Sequence, residues 1–457
     1  MRDFWKEAAN VKPSRIQLDW YAHRAYAFIH FGINTFTGRE WGTGEEDESL
    51  FAPRALDCRQ WARVIRDAGL SGMILVAKHH DGFCLWDTAY TDHSVMHSPF
   101  GRDVVKEAAE ACREYGLFFG FYLSPWDRNQ KTYGTDAYND FFCGQLEELL
   151  TNYGPISMVW FDNACGEGPD GRRQVYDFPR YIELIRRLQP DAAIFNDYGP
   201  DVRWCGNEEG RGRESEWAVV PSELCRYSAV QTGPGPLAGM GSLSYLYNTE
   251  ERIGTLETAC YSRGLVFAPA EVDVSIRPGW FWHEDEEPKS VERLFAIWLS
   301  SVGNNACLNL NLPPNRDGLI DPKDVSRLME FRERLDAVLG EPLPLSWERS
   351  AAYPMQPAFL AVLTGGLEGD AFLELREKIE EGQRIESFRI VLEEAGAKTV
   401  LFSGTTVGNR RICPLKGIRA AKGAVLRVEV LAARDEVLME EIRLYAGKWN
   451  ENRRETT

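Results

Sequence analysis

Seven apolar runs of strand length recur between residues 26 and 312, separated by polar, amphipathic segments. A run that is apolar at every position is typical of a parallel strand with both faces covered. The segments between the runs have the apolar spacing of amphipathic helices, and several begin with Asp and end with Gly, which are common cap residues. The runs span residues 26–31, 72–78, 117–124, 156–162, 192–197, 264–274 and 305–312.

Strands that alternate with helices predict an α/β fold with a parallel sheet. This many units favour a (β/α)8-like, TIM-type barrel over an open doubly wound sheet, with an eighth strand of irregular sequence. No dinucleotide-binding glycine motif and no phosphate-binding loop follows the first run, which removes the commonest reason to prefer the open sheet. A last amphipathic helix is predicted at residues 321–339.

The hydrophobic pattern changes near Pro342. Short runs that alternate apolar and polar residues follow, with turn residues between them, and this pattern predicts an antiparallel β-sandwich. The predicted domains are therefore a catalytic barrel over residues 1–340 and a C-terminal β-sandwich over residues 341–457. The second domain contains no histidine, and we assign it a structural or weak carbohydrate-contacting role.

Net charge and hydrophobicity limit the kinds of molecule that this protein is expected to bind. The net charge of -17 over 457 residues disfavours nucleic acid and anionic membranes as partners and suits a neutral or cationic ligand. No stretch approaches the ~18 apolar residues of a membrane span, and no signal peptide is visible. The ten cysteines are scattered singly, as buried thiols in a reducing compartment are. A cytoplasmic location is expected, although a secreted protein trimmed of its signal would look identical, and the oligomeric state is unknown.

Two carboxyl groups are the first candidates for chemistry, because a barrel keeps its active site at the carboxyl ends of its strands. Asp162 ends an apolar run after two aromatic residues and could act as a nucleophile; a helix cap or a partner for an Arg is the alternative. Glu208 lies in a Gly-rich loop and could protonate a glycosidic oxygen. Other acids that could take this second role are Glu209, Glu214, Glu216 and Glu271.

The histidines are candidates for ligand binding. His79 and His80 are adjacent, so on an extended segment they would point to opposite faces and could not easily bind one ion together. The chain has no HxH, HExxH or CxxC spacing, so we predict neither a metal nor a cofactor. The functional interpretation is hydrogen bonding to sugar hydroxyls, with His30 as a third member; core histidines bonded to the backbone are the alternative.

Aromatic residues are concentrated near the same strand ends, and the chain holds fourteen tryptophans. An aromatic face suits stacking on the apolar face of a sugar ring, although core packing is the default for any single residue. The aromatic residues at predicted strand ends or in loops are Trp41, Tyr122, Trp126, Trp160, Trp280 and Trp282.

Six segments together resemble the α-L-fucosidases of glycoside hydrolase family 29, over essentially residues 1–335 and more loosely over the β-sandwich. KHHDGF followed by a downstream WFD is the most specific part of the resemblance. The segments are HFGINTFTGREWG, AKHHDGFCLWDT, FYLSPWDRN, VWFDNACGEGPDG, EVDVSIRPGWFWH and VGNNACLNLNLPPNRDGLID.

The resemblance implies a barrel followed by a β-sandwich and a retaining exo-α-L-fucosidase that acts through a covalent fucosyl-enzyme. Asp162 corresponds to the nucleophile of that family. The GNEEG loop is similar to the subgroup selective for α-1,3 and α-1,4 branches, in which its Glu, here Glu208, is the acid/base, so a Lewis-type oligosaccharide is the implied substrate. Asn163 stands where that subgroup commonly has Gly. The residues implied to bind fucose are His30, Glu40, Trp41, His79, His80, Tyr122 and Trp160, with Trp280 or Phe281 near its methyl group.

Several alternatives stay open. The acid/base could be Glu208, Glu216 or Glu271, and Arg277 either contacts the substrate or pairs with an acid. A catalytically inactive fucose-binding relative is a second function class. A metal-dependent barrel hydrolase is a third, and it would use His30, His79, His80 and Asp162.

Overall fold

The computed structural model describes residues 4–196, 199–227, 251–260, 262–350 and 353–447. The first part of the chain forms a parallel barrel sheet surrounded by helices, and the last part forms two antiparallel sheets. This is the predicted fold class, a TIM-like barrel followed by a β-sandwich. The last barrel helix ends at Leu339 and the first strand of the sandwich begins at Glu348; the predicted boundary at residue 340 falls between them.

The barrel sheet has eight strands in the order β5-β4-β3-β2-β1-β10-β9-β6, and all of its neighbouring strands are parallel. A bridge between Phe195 and Val202 links the two ends of this order, so the sheet is nearly closed. The strands in this part of the chain are β1 (Ala25–Ile29), β2 (Gly72–Lys78), β3 (Phe118–Leu123), β4 (Met158–Trp160), β5 (Ala193–Phe195), β6 (Arg203–Trp204), β7 (Val219–Pro221), β8 (Leu265–Phe267), β9 (Ala270–Ser275) and β10 (Cys307–Asn311).

Alternate residues of the barrel strands belong to two separate apolar layers, as the two-residue period of a strand requires. In β1, Ala27 and Ile29 join the layer against the helices, whereas Tyr26 and Phe28 join the barrel interior. Both faces of these strands are buried, which explains why they are apolar at nearly every position.

Helices connect most of the barrel strands, and their first turns are capped as predicted. The side chains of Asp57, Asp103 and Asp177 each accept a hydrogen bond from a backbone N–H in the first turn of their helix. The described helices are α1 (Phe4–Ala9), α2 (Arg15–His23), α3 (Ile33–Thr37), α4 (Cys58–Asp67), α5 (Val104–Tyr115), α6 (Asp136–Asn152), α7 (Phe178–Leu188), α8 (Ser222–Tyr227), α9 (Leu256–Ala259), α10 (Val291–Ser300) and α11 (Pro322–Leu339).

The eighth barrel strand, predicted to be irregular, is β6, which has only two residues, Arg203 and Trp204, and follows β5 too closely for a crossover helix. The sequence and the structure differ at β8. The apolar run 264–274 is not one strand. Its first part, β8, pairs antiparallel with β7 outside the barrel, and only its second part, β9, enters the barrel sheet.

The C-terminal domain consists of a five-stranded sheet, β11-β12-β17-β14-β15, and a three-stranded sheet, β16-β13-β18. Their apolar side chains form a core separate from that of the barrel. The alternating runs predicted most of these strands but not β16, which contains Pro414 and forms an edge, where a proline is tolerated. The strands are β11 (Glu348–Arg349), β12 (Ala358–Val362), β13 (Leu367–Glu377), β14 (Ile385–Glu394), β15 (Ala397–Gly404), β16 (Arg411–Ala420), β17 (Val425–Ala433) and β18 (Met439–Tyr445).

Two further properties concern the whole of the described chain. No helix within those residues is long and apolar enough to cross a membrane. The nine cysteines that the structure describes are all free, and seven of them are buried.

Candidate active site

The carboxyl ends of the barrel strands surround a cavity of about 220 Å³. Its walls combine aromatic rings with carboxyl and imidazole groups, and among the described residues no Lys or Arg lines it. Twelve residues line the cavity: Phe28, His30, Trp41, His79, His80, Tyr122, Trp160, Asp162, Ala164, Glu208, Asp273 and Trp280.

Asp162 lies two residues beyond the end of β4, and hydrogen-bond donors hold its carboxylate. Tyr122 Oη donates to Oδ2 over 3.0 Å, and the backbone N–H of Ala164 donates to Oδ1 over 2.7 Å. His80 Nε2 lies 3.8 Å from Oδ2. The two hydrogen bonds from Tyr122 and Ala164 fix the orientation of the carboxyl group, as a nucleophile requires.

The hydrogen bonds of Ser124 fix the tautomer of His80. Ser124 Oγ donates its only proton to the carbonyl of Trp126 over 2.7 Å. The contact of 2.7 Å between Ser124 Oγ and His80 Nδ1 therefore requires the proton to be on Nδ1. Burial lowers the pKa of His80, so the ring is neutral and Nε2, beside Asp162, is left as an acceptor.

The tautomer of His30 is fixed by the hydrogen bonds of Asn311. Asn311 donates through Nδ2 to the carbonyl of Trp280 over 2.7 Å, so its Oδ1 is the atom that accepts from His30 Nδ1 over 2.9 Å. Burial lowers the pKa of His30 to about 3. A neutral ring with a bare Nε2 can accept a hydrogen bond from a sugar hydroxyl.

The prediction that His79 and His80 point to opposite faces was wrong. Both line the cavity, with ring centroids 4.1 Å apart, because they lie beyond the end of β2 and are not part of an extended strand. Burial lowers the pKa of His79 well below its usual value. Its Nδ1 is enclosed by the protein and has no hydrogen-bond partner.

Glu208 reaches the cavity from the loop after β6. Trp280 Nε1 donates to its Oε2 over 3.2 Å. Glu208 is exposed as a residue, but partial desolvation of its carboxyl group, together with the negative charges of Asp162 and Glu40, raises its pKa. Glu208 therefore holds a proton to a higher pH than an ordinary glutamate, as a general acid must.

Glu40 does not line the cavity, although the family resemblance implies that it binds fucose. Its Oε2 accepts from the backbone N–H of Trp280 over 2.8 Å, and its Oε1 contacts His283 Nε2 over 2.8 Å. Glu40 thus holds the segment that carries the Trp280 wall. Trp41, its neighbour, lines the cavity and is 59% exposed, with its ring edge against Trp126.

Arg277 also lies away from the cavity. Of the two alternatives for this residue, the structure shows the pairing with an acid: Arg277 is buried and donates through Nε to Asp324 Oδ2 over 2.8 Å. It also donates to the carbonyls of His283 and Glu286. Its role in these contacts is to order the loop after β9.

The other acids considered for proton transfer occupy different surroundings. Glu216 is buried between Arg203 and Arg213, which keep its pKa lowered despite burial. Glu271 lies inside the barrel, where it accepts from Trp160 Nε1 over 2.8 Å and from Tyr26 Oη. Neither lines the cavity. Glu209 and Glu214 are exposed to solvent.

Asp273 lines the cavity, although the sequence pattern did not lead us to predict it as a site residue. Asp273 on β9 is only 4% exposed, and Trp204 Nε1 donates to its Oδ1 over 2.8 Å. A signal was present, because Glu271, Asp273 and Ser275 alternate with valines on one strand. In a barrel strand, this alternation turns every polar side chain toward the interior.

Four of the polar cavity residues were the proposed ligands of a metal-dependent hydrolase. His30, His79, His80 and Asp162 do meet in one cavity. Within the described part of the chain, however, no group of three His, Cys, Asp or Glu side chains could hold a metal ion.

The sequence model for alpha-L-fucosidase matches residues 7–337 of this chain. The chain belongs to the α-L-fucosidase family. Its sequence is 38% identical to Alpha-L-fucosidase 1 of Arabidopsis thaliana over 97% of this chain and 89% of that protein.

Solved structures of similar proteins agree in fold along almost the whole chain. A glycoside hydrolase 29 family member from an unknown rumen bacterium is 35% identical, with a TM-score of 0.83 over 97% of this chain and 79% of its own. A Ruminococcus gnavus GH29 fucosidase, solved in complex with fucose, is 27% identical, with a TM-score of 0.81 over 96% of this chain and 95% of its own. This α-L-fucosidase is therefore a glycoside hydrolase, and its substrate is a fucosylated glycan.

The hydrogen bond that orients His80 generates a prediction for this fucosidase. Replacing Ser124 by Ala removes the acceptor of the Nδ1 proton, so the imidazole loses its fixed tautomer and orientation. We expect the affinity for L-fucose, measured by calorimetry, to fall about tenfold. Ser301→Ala is the matched control, because Ser301 is a buried serine that donates to the carbonyl of Ile297. Equal affinities of the two variants would contradict the role of Ser124.

Proposed function

We propose that this protein is a retaining exo-α-L-fucosidase that removes terminal α-1,3- or α-1,4-linked L-fucose through a covalent fucosyl-enzyme. The observation that carries the proposal is that Asp162 and Glu208 line one small cavity in different protonation surroundings. Asp162 has two hydrogen-bond donors that favour a carboxylate, whereas Glu208 has a raised pKa that favours the acid. This is the division of roles that retaining glycosidases require.

In the first step, Asp162 Oδ attacks the anomeric carbon of fucose while Glu208 donates its proton to the departing glycosidic oxygen. A bond from carbon to Asp162 forms, and the bond to the leaving alcohol breaks. In the second step, the ionised Glu208 takes a proton from water, and the oxygen of this water displaces Asp162 from the same carbon. Tyr122 donates to Asp162 in the resting site and stabilises its charge when the intermediate breaks down.

The three neutral imidazoles bind the sugar without bringing charge into the cavity. His30 and His80 present bare Nε2 atoms as acceptors, and the ring of His79 lines the cavity beside them. Fucose is neutral, and each of its hydroxyl groups can donate one hydrogen bond. Uncharged acceptors are thus matched to this substrate and leave Asp162 as the anion nearest to the reacting carbon.

The size of the cavity supports exo action, because about 220 Å³ has room for a single sugar ring and little else. The preference for branched, Lewis-type substrates rests on the similarity of the GNEEG loop to one subgroup of family 29. Trp41, exposed at the mouth of the cavity, is the described aromatic side chain best placed to contact the sugar that carries fucose.

Substitution of the two carboxyl groups tests the assignment of roles. We expect Asp162→Asn and Glu208→Gln each to lower kcat/KM on a Lewis-type trisaccharide by about 10³-fold or more, since each removes a group that acts in the transition state. p-Nitrophenyl α-L-fucoside has a good leaving group, so Glu208→Gln should lose less in the first step on this substrate than on the trisaccharide.

The adjacent residue supplies the control. Glu209 lies in the same loop but does not line the cavity and is paired with Arg211, so Glu209→Gln should keep activity within about twofold of the parent. If Asp162→Asn and Glu208→Gln both matched the parent enzyme, the assigned roles would be wrong.

The linkage preference has its own measurement. We expect release of fucose from α-1,3- and α-1,4-linked branched substrates at least about tenfold faster, in kcat/KM, than from α-1,2- or α-1,6-linked ones, because only the former present a second sugar branch to the cavity mouth. Fucose release can be followed by chromatography. Comparable rates on all four linkages would contradict the preference and leave the fucosidase activity intact.

A further inference from the structure

The cavity contains three carboxyl groups, and only two of them are used by the proposed mechanism. Asp162, Glu208 and Asp273 all line it, and no Lys or Arg among the described residues does. The imidazoles that line it are held neutral by burial. Three carboxylates in one partly dry cavity cannot all be ionised without a compensating cation.

The surroundings of Asp273 make it the carboxyl group least able to carry charge. It is nearly fully buried, and its donors are Trp204 Nε1, which bonds Oδ1, and its own backbone N–H. Asp162, in contrast, is partly exposed, so solvent also stabilises its charge. Asp273 lines the cavity, and no described side chain of another residue donates to its Oδ2.

The titratable groups around Asp273 all disfavour its charge. Glu208 faces it from the loop after β6, Glu271 lies two residues before it on β9, and the thiol of Cys205 is close to it at the end of β6. Burial, followed by the charges of Glu208 and Glu271, raises the pKa of Asp273 well above its usual value.

We propose that Asp273 is a substrate-binding residue that stays protonated and donates a hydrogen bond from Oδ2 to one hydroxyl oxygen of the bound fucose. The proton remains on Asp273 throughout the reaction, so no bond to it is made or broken. The imidazole acceptors and this donor are complementary: the rings accept hydrogen bonds from sugar hydroxyls, and Asp273 supplies one in return. A neutral Asp273 also keeps a second negative charge away from Glu208.

This inference rests on the proposed function, because it assumes that fucose occupies the cavity beside Asp162. Two substitutions of Asp273 test whether a hydrogen-bond donor is needed at this position. Asp273→Asn keeps an acceptor for Trp204 and an N–H donor at the position of Oδ2, so its loss of kcat/KM on p-nitrophenyl α-L-fucoside should be at least about fivefold smaller than the loss caused by Asp273→Ala. Asp273→Ala removes the donor, and kcat/KM should fall by about 10- to 100-fold.

The pH profile of Asp273→Asn tests the protonation state. If Asp273 is neutral, the substitution changes no charge, and the alkaline limb of kcat/KM, which reports ionisation of Glu208, stays at the same pH. If Asp273 were ionised, removing its negative charge would lower the pKa of Glu208 and move this limb to lower pH. A shift of that kind would overturn the proposal.

A set of monodeoxy fucosides tests the hydrogen bond itself. One of these analogues lacks the hydroxyl that Asp273 bonds. On this analogue, kcat/KM of the parent enzyme should fall about as much as Asp273→Ala lowers kcat/KM on intact fucoside. Because the hydrogen bond is already lost in Asp273→Ala, this variant should cleave the analogue nearly as well as it cleaves the intact fucoside. Fully additive losses for every deoxy position would overturn the proposal. These outcomes are separable from the proposed function, which fails only if the parent does not cleave fucosides or if Asp162→Asn and Glu208→Gln retain its activity.

Discussion

No described Lys or Arg lines the cavity, so its carboxyl groups depend on hydrogen-bond donors and solvent to stabilise their charge. Asp162 receives donors from Tyr122 and from a backbone N–H. Glu208 and Asp273 each receive one indole N–H, and Asp273 also receives its own backbone N–H. Burial penalises a carboxylate that is not solvated in this way. The mechanism we propose needs a carboxylate at Asp162 beside a protonated Glu208, and the raised pKa of Glu208 favours the protonated form.

The barrel supplies this arrangement through a few rigid connections. Three indole N–H groups each hold one acid: Trp160 holds Glu271, Trp204 holds Asp273 and Trp280 holds Glu208. Glu40 and Asn311 in turn bond the backbone of Trp280. The site is therefore built from side chains whose orientation is fixed by a second set of polar contacts, and little reorganisation is needed when substrate binds.

Much of the fold could be predicted from hydrophobic pattern, because strands buried on both faces are apolar throughout. The two-residue strand at Arg203 has no pattern of its own, since pairing with β9 and not local sequence defines it. Residues just beyond strand ends, such as Asp162 and His80, were found by the rule that barrel sites lie there. Asp273 was missed because it lies within a strand, and Glu40 and Arg277 act through contacts that only the tertiary structure brings together.

The proposed mechanism requires Asp162 to form a covalent bond to the anomeric carbon of fucose. A 2-deoxy-2-fluoro-fucosyl fluoride should form this bond but slow its hydrolysis, so the intermediate accumulates and can be digested for peptide mass spectrometry. We expect one fluorofucosyl group per chain, attached to Asp162, and no labelling of the Asp162→Asn variant. Labelling of another side chain, or rapid turnover with inversion at the anomeric carbon, would contradict it.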